Sequence, residues 1–281
     1  MKVHLDCFPC FLRQSLIALR LSTNDESLHE TVLKSVLADI ENADTTKPPA
    51  YTTTFIHRRI RRMLGKDPFQ AIKSEYNRKA LALYPSLKKL VEKSSDPLWT
   101  ASRLAVAGNV IDFGIFTSID IEGAIAKALK NTFAEDAYPV FAESVHDADE
   151  IVYLLDNAGE IVFDRLLIET MMQSGKKTKA VVKGSPVLND ATIADANESG
   201  LGKICEVIEN GSDAVGTILE WTSPEFRKIF RDAQLIISKG QGNFETLQCT
   251  GKNIFYLFQS KCDVLSQELN LPPGSMLLKK S

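Results

Sequence analysis

The 281-residue sequence has no long hydrophobic run and no excess of charge of either sign. Its longest apolar stretches, such as 151–155 and 180–182, are only as long as single strands, whereas a membrane-spanning helix needs about 20 apolar residues. Thirty-three basic and 36 acidic residues give a formal net charge of −3, so no overall positive field would attract nucleic acid. We therefore expect no association with membranes or nucleic acid.

Cysteine is also scarce, and its spacing is not that of a disulfide framework. The five cysteines are an odd number, and apart from Cys7 and Cys10 they lie far apart. The N-terminus carries charged residues within its apolar run and lacks a small-residue cleavage site, unlike a signal peptide. With 44% hydrophobic and 25% charged residues, the composition is that of a globular protein. We expect a cytoplasmic protein with reduced thiols.

The hydrophobic period changes along the chain. Up to about residue 131 the apolar residues recur at helical spacing, with helix starts predicted at Asp67-Pro68 and Asp96-Pro97. Short apolar runs then alternate with amphipathic segments, which is the β-α-β pattern of a parallel sheet. The predicted strands are 151–155, 178–182, 204–208, 235–238 and 254–258, and 274–280 is a possible last strand. The sequence thus predicts a helical region over 1–135 and a Rossmann-like α/β domain over 136–281, its mostly parallel sheet flanked by helices.

Polar residues and glycines collect where these predicted strands end. Ligands of open parallel sheets bind beyond the carboxyl ends of the strands, so we expect the loops to border one crevice. Asp156, Asn157 and Glu160 follow the first strand, and Asp190 lies in the loop after the second. Further candidates for binding phosphate at the strand ends are Lys183, Gly211, Ser212, Lys239, Gly240, Asn243 and, beyond the last parallel strand, Lys261.

These residue types suit a hard cation beside an anion. Carboxylate and amide oxygens of Asp156, Asn157 and Asp190 can hold a divalent cation that keeps open positions for water and a phosphoryl oxygen. Glycine lets backbone N–H groups approach phosphate closely, and lysine supplies charge. The alternative for Asp156 and Asp190 is that each only caps the following helix. No P-loop, complete dinucleotide fingerprint or G-x-S-x-G elbow accompanies them.

Three of these loops together resemble the metal-dependent damage-control phosphatases, formerly a domain of unknown function. The matching segments are 154–160 (LLDNAGE), 183–192 (KGSPVLNDAT) and 239–245 (KGQGNFE). The likeness extends to 7–10 (CFPC), to Lys73 and Asn77, and to 108–112 (GNVID). The N-terminal cysteine pair is similar to that of a short branch found mainly in archaea and some bacteria.

The resemblance implies a helical N-terminal region over a Rossmann-like domain, with one divalent cation such as Mn²⁺, Ni²⁺, Co²⁺ or Mg²⁺. It assigns the metal to Asp156, Asn157 and Asp190, and the phosphate-side lysine to Lys239. Small phosphorylated metabolites are the implied substrates. The match at 108–112 favours a site role for Asn109 and Asp112, and we consider Glu160 and Asp112 as candidates for the general base.

Two other functions remain open at this point. An S-adenosylmethionine-dependent methyltransferase has the same fold class, although the loop after the first strand offers only one glycine. A noncatalytic metal or metabolite sensor is the other alternative, with His4, Cys7 and Cys10 on one helical face. Buried free cysteines are also common core residues. We expect the basic run 57–62 to form a solvated or salt-bridged helix face rather than a binding site.

Overall fold

The computed structural model describes residues 1–110 and 120–281. Six helices precede the sheet in this part of the chain. Pro49 and Pro97 stand in the first turns of two of them, where proline is well tolerated, and Asp25 and Asp96 cap the helices that follow them. These helices are α1 (Cys7–Ser22), α2 (Glu26–Glu41), α3 (Pro49–Leu64), α4 (Gln70–Glu92), α5 (Pro97–Gly108) and α6 (Ile121–Lys130).

The rest of the described chain builds a seven-stranded sheet with helices between the strands. The strands are β1 (Glu135–Asp136), β2 (Glu150–Leu154), β3 (Lys177–Val182), β4 (Glu206–Glu209), β5 (Leu235–Lys239), β6 (Ile254–Gln259) and β7 (Met276–Lys280). The helices are α7 (Tyr138–Asp147), α8 (Glu160–Gln173), α9 (Ile193–Glu198), α10 (Pro224–Asp232), α11 (Gln241–Leu247) and α12 (Asp263–Glu268). Short 3₁₀ turns lie at Leu201–Lys203 and Leu219–Trp221.

The strand order places the candidate loops at one position in the sheet. The order is β1-β7-β6-β5-β2-β3-β4, and the five strands from β6 to β4 are mutually parallel. Successive connections from β2 run outward to β3 and β4 on one side, whereas β5 and β6 lie on the other. The order therefore reverses between β2 and β5, which is where open α/β sheets form a binding crevice. The loops after β2, β3 and β5 meet there.

The structure confirms the predicted fold class and shows a sheet of seven strands, one more than the sequence predicts. All five predicted parallel strands are present within one or two residues, and the possible last strand is β7, which pairs antiparallel with β6. The structure adds β1, a strand absent from the sequence prediction, which pairs with β7 over two residues. A two-residue strand is too short to leave a pattern in the sequence. Helix α7 (Tyr138–Asp147) lies just after the predicted boundary between residues 135 and 136.

The core is shared by the helical region and the sheet. One buried apolar cluster includes Phe11 of α1, Leu104 of α5, Phe163 of α8 and Ile237 of β5. Gly108 allows α5 to lie close to α8, since a Cβ at this position would be 2.8 Å from the Cβ of Phe163. The division into regions 1–135 and 136–281 stays a prediction. No helix in residues 1–110 or 120–281 is long and apolar enough to cross a membrane.

Candidate active site

The residues after β2 and β3 approach each other through backbone contacts. Asn157 and Asp190 form an isolated antiparallel bridge, the N–H of Ala158 donates to the carbonyl of Asn189 at 2.8 Å, and the N–H of Ala191 donates to the carbonyl of Asp156 at 2.7 Å. All three predicted metal-binding residues are therefore held in two directly paired loops.

Neither aspartate is the cap of the following helix. The N-cap of α8 is Gly159, and that of α9 is Thr192, which forms a capping box with Asp195. Asp156 and Asp190 are only 9% and 4% exposed, and burying a carboxylate costs free energy unless it is paired or binds a cation. The capping interpretation therefore does not explain why these two acids lie at the crevice.

The orientation of the Asn157 amide is set by its acidic neighbours. Its Nδ2 donates to Asp156 Oδ2 and to Glu160 Oε2, both at 2.7 Å. An ionised carboxylate can only accept hydrogen bonds, so the amide nitrogen must face these two groups. The oxygen is then the atom of the amide available to a cation.

A buried ion cluster lies behind these loops. Lys239 and Glu160 are completely buried, with their Nζ and Oε1 atoms 2.6 Å apart. The same ammonium lies 2.7 Å from Asp164 Oδ1, which also accepts from Tyr153 Oη at 2.8 Å, and it donates to the carbonyl of Ala105 at 2.9 Å. Lys239 is thus surrounded by protein acceptors, whereas the sequence predicts that it contacts phosphate. This predicted role stays untested.

Asn109 joins this cluster to the metal loop. It is fully buried at the end of α5. Its Nδ2 lies 3.0 Å from Asp156 Oδ2 and 2.8 Å from Glu160 Oε2, and its Oδ1 accepts the N–H of Gln259 at 3.1 Å. Asn109 therefore holds a carboxylate in place, in keeping with the site role favoured by the sequence match. Asp112 lies outside the described residues.

The paired loops and the buried cluster behind them carry more carboxylates than ammonium groups. If all are ionised, the four carboxylates and two ammonium groups of these loops and this cluster sum to −2, before the pocket-lining Lys261 and Glu245 are counted. Burial raises the pKa of Asp164 to about 7, and the ammonium of Lys239 opposes that rise, so this carboxyl shares in the charge balance near neutral pH. The groups counted are Asp156, Glu160, Asp164, Asp190, Lys183 and Lys239.

The pocket at the crevice is closed by the N-terminal helices. It has a volume of about 130 Å³ and is lined by Asp156, Asn157 and Asp190 together with residues from α1, the start of α3, and α11. Its described lining residues include one lysine, Lys261. Leu188, two residues before Asp190, also lines it and has a φ of +46°, a strained conformation of the kind found at functional sites. The closure by α1 was not predicted, because no local pattern reports which helix covers a crevice.

The other predicted phosphate-binding residues lie outside the described lining of this pocket. Lys183 Nζ is 3.3 Å from Asp190 Oδ2 and donates to the carbonyl of Gly216. Asn243 donates to the carbonyl of Lys239 at 2.8 Å, and the carbonyl of Ser212 accepts from Gly184 N at 2.9 Å. Gly211 lies against Ser223. As placed, these residues shape the loops, and their predicted contact with phosphate stays a prediction.

Three free cysteines, Cys7, Cys10 and Cys262, lie at the pocket. Cys7 and Cys10 line the pocket, and burial raises the pKa of the Cys10 thiol to about 11. No cluster of three or more His, Cys, Asp or Glu side chains suited to a metal occurs in the described ranges, which also means that the proposed oxygen site depends on the amide of Asn157.

The basic run on α3 is salt-bridged, as expected. Arg58 and Arg61 both pair with Asp213, and Arg59 pairs with Asp39. These arginines therefore hold α3 to the loop after β4 and to α2. Their positive charge is therefore balanced by carboxylates of the protein itself.

Gly240 gives a direct test of the geometry at Asp156. It has a φ of +83°, and a Cβ there would lie 2.0 Å from Asp156 Oδ2. Gly240→Ala should displace this carboxylate and weaken Mn²⁺ binding at least roughly tenfold, as changes near metal ligands commonly do. Gly175→Ala is the matched control, because Gly175 has a φ of +84° and no described atom within 4 Å of its Cβ. Equal Mn²⁺ affinity of the two variants in calorimetry would contradict the placement of Asp156.

Comparison with known proteins agrees with the resemblance found in the loops. The model of the damage-control phosphatase ARMT1-like domain matches residues 3–277. A damage-control phosphatase of Archaeoglobus fulgidus is 34% identical over 285 residues, covering 99% of both chains. One of Pyrococcus horikoshii is 33% identical over 288 residues, covering 100% of this chain and 99% of the other.

A solved structure supports the fold independently of the sequence pattern. The crystal structure of a DUF89 family protein from Pyrococcus horikoshii superposes with a TM-score of 0.87 at 32% identity, covering 100% of this chain and 99% of that one. Because the family model and the relatives cover nearly the whole chain, the chain belongs to the damage-control phosphatase ARMT1-like family.

Proposed function

We propose that this chain is a metal-dependent phosphomonoesterase that hydrolyses small phosphate esters, either sugar phosphates or damaged phosphorylated metabolites. Membership of the damage-control phosphatase family supports a phosphatase activity in metabolite repair. The observation that carries the proposal is the pairing of the Asp156 and Asp190 loops at one pocket. The five free cysteines favour a reducing compartment, the cytoplasm.

The metal site of the proposal consists of two carboxylates and one amide oxygen. Asp156, Asn157 and Asp190 would hold one divalent cation, with Mn²⁺, Ni²⁺, Co²⁺ and Mg²⁺ as the candidates that oxygen ligands admit. When bound, such a cation would polarise the phosphoryl group and make an adjacent water a better nucleophile. Asn109 and Glu160 orient the ligands through hydrogen bonds of 2.7–3.0 Å.

Lys261 is the lysine that we assign to the substrate phosphate. It lines the pocket together with Asp156 and Asp190. Lys183 and Lys239 are only 3% and 0% exposed and are not among the described lining residues of this pocket. A lysine at the pocket wall can neutralise charge on the phosphoryl oxygens. Lys239 would then act indirectly, by holding Glu160.

Lys261→Met should therefore raise KM for a phosphate ester and lower kcat/KM by roughly a hundredfold, the lower end of the range for loss of one charge-stabilising group. Affinity for Mn²⁺ should stay unchanged, because Lys261 is not among the proposed ligands. Lys228→Met, an exposed lysine on α10, is the control and should match the wild type in both measurements. Wild-type kcat/KM in Lys261→Met would remove this lysine from the site.

The general base stays undecided between the two carboxylates named from the sequence. Glu160 is completely buried and receives hydrogen bonds from Asn109, Asn157 and Lys239. That placement favours a role in orienting Asn157 over proton transfer in the pocket. Helices α1 and α3 cover the crevice, which would keep bulk water away from the reacting phosphate.

Substrate class separates this proposal from the alternatives. With Mn²⁺ or Ni²⁺ present, the protein should hydrolyse p-nitrophenyl phosphate and leave the diester bis(p-nitrophenyl) phosphate intact. Micromolar binding of S-adenosylmethionine in calorimetry, without hydrolysis of the monoester, would favour methyl transfer instead. No hydrolysis of any monoester with any of the four cations would favour the noncatalytic sensor.

A further inference from the structure

Asn77 on α4 connects the two loops of the proposed metal site. It is completely buried, and its Oδ1 accepts the N–H of Gly159 at 2.6 Å. Its Nδ2 donates to Asp195 Oδ1 at 3.0 Å and to Glu198 Oε2 at 2.8 Å. One side-chain amide therefore contacts the end of the Asp156 loop and the helix that follows the Asp190 loop.

Asp195 in turn binds Thr192, at the end of the Asp190 loop. Its Oδ2 accepts from the N–H of Thr192 at 2.9 Å and from the Thr192 hydroxyl at 2.7 Å. Thr192 stands two residues after Asp190, so the capping box fixes the end of that loop. Lys73, one helical turn before Asn77, lies 3.5 Å from the same oxygen of Asp195 and 3.4 Å from Asp67 Oδ2, which fixes the carboxylate in turn.

We propose that Asn77 is a positioning residue that sets the separation of the Asp156 and Asp190 loops and thereby prepares the site for its cation. The inference rests on the proposed metal site. An amide is suited to this position because it offers one acceptor to the Gly159 N–H and donors to two carboxylates at the same time. A purely structural buried asparagine would stabilise the fold, but its loss would leave the affinity of the folded protein for metal unchanged.

The test compares Asn77→Ala with Ala80→Gly, which weakens the same helix at a completely buried position without touching either loop. Mn²⁺ binding is measured by calorimetry well below the melting temperature. Amide hydrogen exchange of segments 156–160 and 190–195 is measured in the metal-free proteins. Asn77→Ser replaces Asn77→Ala if the alanine variant does not fold.

We expect Asn77→Ala to bind Mn²⁺ at least roughly tenfold more weakly than the wild type, as loss of supporting hydrogen bonds does at metal sites, and to exchange faster in both segments. Ala80→Gly should lower the melting temperature and leave affinity and exchange in these segments unchanged. Wild-type affinity and wild-type exchange in Asn77→Ala would overturn the inference. If the wild type binds none of the four cations, the proposed function fails, and unchanged exchange in Asn77→Ala would separately overturn the positioning role.

Discussion

Replacing Lys239 by methionine should lower the free energy of unfolding by about 3–5 kcal/mol, the range found when one partner of a buried ion pair is removed. The substitution keeps most of the side-chain volume but leaves Glu160 and Asp164 buried without their shared ammonium group. Denaturant unfolding of the metal-free protein measures the change. If Lys239 contacted only the substrate phosphate, Lys239→Met would instead keep near-wild-type stability and raise KM.

The loss of unfolding free energy in Lys239→Met should also change with pH in a defined direction. Burial raises the pKa of Asp164 from 3.8 to about 7, so this carboxyl binds its proton more tightly in the folded protein. Its contribution to stability is complete below about pH 4 and is lost as the pH rises through 7. Without the ammonium of Lys239, which lowers this pKa, the carboxyl should hold its proton to still higher pH.

The destabilisation by Lys239→Met should consequently be larger at pH 8 than at pH 5. At pH 5 Asp164 is protonated in both proteins, so the only carboxylate–ammonium pair lost is the one with Glu160. At pH 8 the wild type has a second carboxylate–ammonium pair that the variant lacks. Lys228→Met, at an exposed position, should show neither the loss nor its pH dependence. An equal loss at both pH values would contradict the charge assignment of Asp164.

Replacing Asp190 by asparagine should weaken Mn²⁺ binding at least roughly tenfold and reduce phosphatase activity by as much or more. The change keeps the size of the side chain and removes one negative charge from a site that requires deprotonated oxygen ligands. Because the ammonium of Lys183 lies 3.3 Å from Asp190, the variant also loses an ion pair, and its metal-free melting temperature should fall.

A matched control separates metal binding from this loss of stability. Asp213→Asn removes a carboxylate that pairs with Arg58 and Arg61 and does not line the described pocket. It should lower the melting temperature while leaving Mn²⁺ affinity unchanged. Calorimetry that finds wild-type affinity in Asp190→Asn would remove Asp190 from the proposed site, whatever its stability.

The fold and the meeting point of the loops could be predicted because both follow from local patterns. Five short apolar runs identified the parallel strands, and the rule that ligands bind at their carboxyl ends selected Asp156 and Asp190. The isolated bridge between Asn157 and Asp190 then confirmed that these loops meet. The resemblance to damage-control phosphatases was carried by the same loops and is confirmed by the full-length relatives.

The contacts that orient the loops could not be predicted, because they join residues far apart in sequence. Lys239 and Glu160 are separated by 79 residues, and Asn77 and Gly159 by 82. A lysine followed by glycine at a strand end is typical both of a phosphate contact and of a buried ion pair. Only the tertiary structure shows that acceptors from α5 and α8 surround the Lys239 ammonium.

The central claim is that one divalent cation at Asp156, Asn157 and Asp190 makes this chain a phosphatase. Its most direct measurement is the rate of p-nitrophenyl phosphate hydrolysis by metal-stripped protein during titration with Mn²⁺ or Ni²⁺. We expect almost no hydrolysis without metal and a rise that saturates at about one bound cation per chain, in keeping with a single activating ion. Metal-stripped protein that hydrolyses the ester as fast as protein supplied with either cation would contradict it.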